Sequence, residues 1–284
     1  MSSVANNRVQ FPLNMVLPLK APLEQLKQGM AQQNEREQVE ANDAIGTLHF
    51  SRLVDLSEPA QPQVGFLTVY NGDFRTYIGD FAKHLGLFFD RLFTFVDNGP
   101  PLPCAKNKEA FTDWIAAHNP EGIGFYSAYP NLTVQDIRAR FRVAAGAYSK
   151  QIQSPLCLRL RAKSPGHQKT LSELIARSTS RFHAAADTIG TVHFARFLPH
   201  GTDLILIGEH DGDVQKLAVD FSAHLGPLFD EMFENVVDPP RTPAQKNAPA
   251  FTDWFSAQNM RTLRFYSAYP TLSVRDIRAG ATNK

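Results

Sequence analysis

The chain has 284 residues, 43% of them hydrophobic, and its 29 basic and 28 acidic side chains leave a net charge of +1. That length and apolar content suit one large or two ordinary domains with a substantial core, while the even charge offers no electrostatic footprint for nucleic acid or anionic lipid. No stretch approaches ~20 consecutive apolar residues, and the start, MSSVANNRVQFPLNMVLPLK, lacks a basic region followed by an apolar run, so a soluble, cytoplasmic protein is expected.

Along the chain, Leu13, Met15, Leu17 and Leu19 alternate with other residues, the period of a strand. Leu23, Leu26 and Met30 then recur at helical spacing. Two strands follow, Ile45 to Leu53 and Val64 to Tyr70, closed by Gly72. Ile78, Phe81, Leu85, Phe88 and Leu92 form the apolar stripe of a longer helix. A Pro-rich loop leads to a short helix carrying FTDW, with Asn107 placed to cap it, and GFYSAY is the last strand.

The same order then returns. Leu156, Leu158 and Leu160 open it, followed by Leu171, Leu174 and Ile175 with a capping box expected at Thr170 and Glu173. DAIGTLHFSR at Asp43 returns as DTIGTVHFAR at Asp187, FTDWIAAHN at Phe111 as FTDWFSAQN at Phe251, and FYSAYPNLTVQDIRA at Phe125 as FYSAYPTLSVRDIRA at Phe265. One folded unit is duplicated, with repeats expected at 1–145 and 146–284. Cys104 and Cys157 align with Ala244 and Asn14, so both read as structural thiols rather than a disulfide or metal framework.

Each copy reads strand, helix, strand, strand, helix, strand, the ferredoxin-like order, which makes the chain α+β. From about Leu13 to Arg278 this tandem arrangement resembles the dimeric α+β barrel superfamily. The resemblance implies two antiparallel sheets packed as an intramolecular barrel, with helices outside and a small-molecule cavity inside. That superfamily includes cofactor-free monooxygenases and polyketide-processing enzymes, and the haem-binding dye-decolourising peroxidases and chlorite dismutases.

Alternation along IGTLHFSRL places Thr47, His49 and Ser51 on one face and Leu48 and Phe50 on the other; Thr191 and His193 oppose Val192 and Phe194 in the second copy. Both histidines are expected to point away from the helices, where they suit proton transfer or metal or haem ligation. Packing of a core histidine against Thr or Tyr explains them as well. Asp80 and His84 recur as Asp220 and His224, one helical turn apart, an arrangement that orients a metal-ligating imidazole or simply solvates a helix face. GEHDG, from Gly208 to Gly212, is similar to the G-x-x-D-G pattern of dye-decolourising peroxidases. That resemblance implies Asp211 as acid/base with Arg196 as its distal partner; turn chemistry accounts for Asp211-Gly212 equally. Strict alternation puts Arg52 and Arg196 opposite the histidines, so their entry into a lumen requires a bulge or a strand end. Tyr126, Tyr129, Tyr266 and Tyr269 line a cavity or fill the core.

Three functions follow. The first is an oxidoreductase acting on a small organic molecule, haem-dependent and peroxidase-like, with His193 or His224 as axial ligand and Asp220 behind His224. The second is a cofactor-free monooxygenase or cyclase with His49 or His193 as base. The third is a non-catalytic binder of a hydrophobic metabolite. No P-loop, dinucleotide fingerprint, G-x-S-x-G or H-E-x-x-H is present. Partners are expected to be small molecules, without nucleic acid or membrane; oligomeric state stays open.

Overall fold

The computed structural model describes residues 9–31, 34–58, 61–144 and 151–282. The first repeat runs β1 (Gln10–Pro18), α1 (Leu23–Ala31), α2 (Glu35–Ile45), β2 (Leu48–Asp55), β3 (Gln63–Asn71), α3 (Phe74–His84), α4 (Gly86–Phe93), α5 (Lys108–Ala117), β4 (Ile123–Ser127) and α6 (Val134–Phe141). The second runs β5 (Gln153–Arg161), α7 (Pro165–Ile189), β6 (Val192–His200), β7 (Asp203–Asp211), α8 (Val214–Phe233), α9 (Ala248–Gln258), β8 (Thr262–Ser267) and α10 (Val274–Thr282). The strands form two four-stranded antiparallel sheets, so the α+β class expected from the element order holds. Among the described residues no helix is long and apolar enough to cross a membrane.

The sheets do not follow the repeats. One sheet has the order β1-β3-β2-β8 and the other β4-β6-β7-β5, so each repeat gives its last strand to the other's sheet. The compact units interleave accordingly. The first holds the described residues through Pro120, Pro130 through α6, and Thr262–Pro270; the second holds Glu121–Tyr129, 151–261 and Thr271 onward. The expected boundary at 145/146, like the first eight residues of the chain, lies outside the described residues.

In the first unit the helices cover the face carrying Phe66, Thr68 and Tyr70. Phe66 meets Phe81 and Phe89 with ring centroids 5.7 and 5.3 Å apart, Tyr70 stacks on Tyr77 at 4.0 Å, and the Tyr77 hydroxyl donates to Thr68 at 2.7 Å. In the second, Phe197 packs on Phe182 of α7, and α8 buries Leu217, Phe221, Leu225 and Phe229. Each such side chain contributes roughly 1.5–3 kcal/mol.

The helices differ between repeats in ways the pattern did not show. Where α7 is continuous for 25 residues, the first repeat has α1 and α2, the latter begun by Asn34, whose side chain accepts the Arg36 N–H. The cap of α7 is Ser164 followed by Pro165; Thr170, expected in a capping box, instead donates its hydroxyl to the Gly166 carbonyl. The expected long helix of the first repeat is divided at Leu85, whose φ of −117° departs from helical values. Its counterpart α8 runs on through Pro227. Proline has no N–H for the Ala223 carbonyl, and the Gln245 side chain supplies that donor at 2.7 Å.

Candidate functional site

A β-bulge decides which residues meet. In β6 the register against β7 shifts between Val192, opposite His210, and Phe194, opposite Glu209; β2 shifts likewise between Leu48 and Phe50. Paired residues of an antiparallel ladder point to the same side, so beyond the bulge Phe197, Ala195 and Leu206 face the helices while Phe194, Arg196, Ile207 and Glu209 face away. Phe50 and Phe194 were expected against the helices; the extra residue turns them over. Phe50 stacks on Phe265 and Phe194 on Phe125 instead. The same bulges bring Arg52 and Arg196 to the face away from the helices.

His193 sits in the bulge, fully buried. Its Nδ1 lies 2.7 Å from the Tyr129 hydroxyl and its Nε2 lies 2.8 Å from the Asp211 carboxylate. Asp211, half-buried at the end of β7, also accepts the backbone N–H of Val274 at 2.9 Å. An ionised Asp211 accepts only, which assigns the proton to Nε2 and makes Nδ1 the acceptor of the Tyr129 hydroxyl proton. Asp211 therefore does more than turn the chain; the turn is carried by Gly212, at φ +81°.

The first unit repeats part of this arrangement. His49 is fully buried and its Nδ1 lies 2.8 Å from the Tyr269 hydroxyl. The position of Asp211 is taken by Asn71, whose Oδ1 accepts from the Val134 N–H at 2.9 Å just as Asp211 accepts from Val274. The structural half of the role is shared by both residues. Only Asp211 adds a negative charge beside an imidazole.

Other expected residues are not brought together. His224 is exposed, and Asp220 lies near Lys216, Nζ to carboxylate 3.4 Å, rather than bonding His224. Arg196 stands opposite Ile207, four residues from Asp211 along β7, roughly 13 Å at strand rise, so the distal pair implied by the peroxidase resemblance is not adjacent. Glu209, between them in sequence and buried on the same face as Arg196, went unnoticed; its signal was a lone carboxylate inside the apolar run LILIGE, where the first copy has Val69. Neither histidine expected as an axial haem ligand is placed for that role. Both ring nitrogens of His193 are engaged by protein, and His224 stands in solvent without its aspartate. Among the described residues no three His, Cys, Asp or Glu side chains gather as a metal site.

Tyr126 and Tyr266 belong to a hydrogen-bonded cluster present in each unit. Tyr266 donates to Asp43 at 2.6 Å, and Arg138 binds Asp43, Tyr266 and the Ala268 carbonyl. Tyr126 donates to Asp187 at 2.8 Å, and Arg278 binds Asp187, Tyr126 and the Ala128 carbonyl. Burial pushes both phenols up from their ordinary range, with the neighbouring carboxylates acting in the same direction. Cys104 is buried and its thiol is likewise pushed up, first by desolvation, so it is an inert packing group.

No family model matches the chain, and no curated protein does. Among solved structures it is similar to a candidate monooxygenase of Fusobacterium nucleatum subsp. nucleatum, with 7% identity, 94% of this chain and 97% of that one covered, and a TM-score of 0.39. A candidate monooxygenase of Lactobacillus acidophilus shows 7% identity over 90% and 96% of the two chains at a TM-score of 0.33. An anthrone oxidase-like protein shows 9% over 92% and 95% at 0.31. Likenesses this slight leave the chemistry to the residues themselves.

Proposed function

We propose that the chain is an oxidoreductase acting on a small phenolic or enolic molecule without a bound redox cofactor, and that Tyr129, His193 and Asp211 form its proton-accepting chain. The observation that supports this reading is the continuous run of hydrogen bonds from the Tyr129 hydroxyl through both nitrogens of His193 to Asp211. A buried imidazole between a hydroxyl and a carboxylate is the arrangement in which a hydroxyl oxygen gains basicity: as that oxygen takes a substrate proton, its own proton moves to Nδ1, and the carboxylate stabilises the imidazolium. The substrate anion left behind is electron-rich and is the species dioxygen oxidises. At a methylene carbon, one molecule of dioxygen converts the methylene to a carbonyl and is itself reduced to one water. One oxygen atom stays in the carbonyl, and the other leaves as water with both methylene hydrogens.

His193 is fully buried and Tyr129 is only 4% exposed, so the reading requires an opening that admits substrate to the Tyr129 hydroxyl. His49 and Tyr269 lack a carboxylate at the Asn71 position, which leaves the second unit as the reacting one.

The test is oxygen uptake by purified protein offered hydroxylated aromatics and 1,3-dicarbonyl compounds, with isotopically labelled dioxygen to follow the atom transferred. Asp211→Asn should keep the fold, since Asn71 occupies the same position in the other copy, and lose roughly 10²–10⁴ in kcat. Tyr129→Phe should fall comparably. An unchanged rate in Asp211→Asn, or no consumption by the parent protein, defeats the reading; retained binding without consumption would leave a metabolite-binding protein.

A further inference from the structure

The helical side of the first unit carries an open groove of about 1180 Å³, bordered by α2, the end of α3, α4 and the loop through Lys106. The second unit shows what fills the equivalent space. Phe182, fully buried against Phe197, corresponds to Gln38. Gln245, which packs over Gly226 so closely that a Cβ there would lie 2.6 Å from its Cγ, corresponds to Ala105, whose Cβ lies 3.8 Å from the same point on Gly86. The ion pair Arg181–Glu231, 2.8 Å long, ties α7 to α8. Its counterparts are Glu37 and Arg91, of reversed charge; these do not pair, since Glu37 accepts from Asn34 and Arg91 donates to the Gly29 carbonyl. Three independent changes thus empty one place in one copy.

The groove has two kinds of wall. Ala41, Ala82, Leu85 and Phe88 supply apolar surface, and Leu87 stands 86% exposed beside it. Lys83, His84 and Lys106 line the groove as well, together with Glu37 and Asp90, whose carboxylates accept from the Asn34 side chain and the Cys104 N–H. None of the Lys83, His84 and Lys106 side chains has a hydrogen bond or ion pair among the described residues. Lys83 belongs to this copy alone, the second having Ala223. We infer that the groove is a binding site for a small amphipathic carboxylate, its chain along the apolar wall and its carboxylate at Lys83 and Lys106. This site stands apart from the chemistry proposed above and does not depend on it.

The experiment is calorimetric titration of the whole chain with sodium decanoate and, separately, with decanol. The parent should take up one decanoate saturably and bind decanol more weakly. Gln38→Phe with Ala105→Gln, which restores the filling of the second unit, should weaken decanoate by at least about tenfold. Lys83→Ala with Lys106→Gln, both exposed and harmless to folding, should weaken decanoate but not decanol, and should flatten the dependence on salt. Asp211→Asn should bind decanoate as the parent does, so loss of turnover and loss of this site are separable. No saturable binding by the parent, equal affinity for decanoate and decanol, or unchanged affinity in the lysine variant overturns the inference.

Discussion

Replacing Arg138 should cost far more stability than replacing Arg278, although the two arginines occupy equivalent positions and hold equivalent partners. In the first unit the Asp43 side chain is only 5% exposed, whereas Asp187 in the second is 57% exposed. Arg138→Ala leaves a carboxylate inside the protein without its cation, the circumstance in which breaking an ion pair costs about 3–5 kcal/mol. Arg278→Ala leaves a carboxylate that water solvates, and the loss there is about 1 kcal/mol, mostly the bond to the Ala128 carbonyl. The two tryptophans provide separate reporters, since Trp114 lies in the first unit and Trp254 in the second. Urea unfolding of Arg138→Ala in a Trp254→Phe background, and of Arg278→Ala in a Trp114→Phe background, each against its own parent, gives the two losses. Equal losses, or a larger one for Arg278→Ala, would refute the argument from burial.

Two further outcomes are expected. Phe182→Ala should destabilise the second unit by about 3–5 kcal/mol as a core cavity, while Gln38→Ala, at the groove, should stay within about 0.5 kcal/mol; Trp254 and Trp114 fluorescence against urea reads each. Tyr266 has its folded pKa well above the ordinary value of 10.0, first because of burial and then because of Asp43, so its stabilisation is fully present below about pH 10 and is lost as pH rises through the folded value. The stability advantage of the parent over Tyr266→Phe should therefore hold up to about pH 10 and shrink as the pH is raised above it in guanidinium unfolding; a constant difference above about pH 10 contradicts the assignment.

The element order was legible because it rests on local periodicity, and periodicity survives whatever partner a strand takes. For the same reason the exchange of β4 and β8 was not: FYSAY has one alternation whether it pairs with its own repeat or the other. The bulges were invisible for a related reason, since LHFSR and VHFAR read as unbroken alternation and only the register against β3 and β7 reveals the extra residue. The Asp43, Tyr266 and Arg138 cluster did leave a signal. The aspartate and IGT of DAIGT, and the whole of FYSAY and DIRA, are kept in both copies, and three such segments far apart in sequence are what one shared cluster requires.

Duplication sharpens the assignment of roles beyond what one copy permits. Residues retained in both copies, such as the tyrosine–histidine pairs Tyr129–His193 and Tyr269–His49, satisfy a demand common to both units, and packing suffices to explain them. Residues that differ at one equivalent position cannot be explained that way. Asn71 makes the same backbone bond without a charge, so that bond alone does not account for the carboxylate of Asp211. In the proposed function it stabilises a proton on the buried imidazole whose other nitrogen holds a hydroxyl, which is why Asp211→Asn tests that function more cleanly than any substitution of His193.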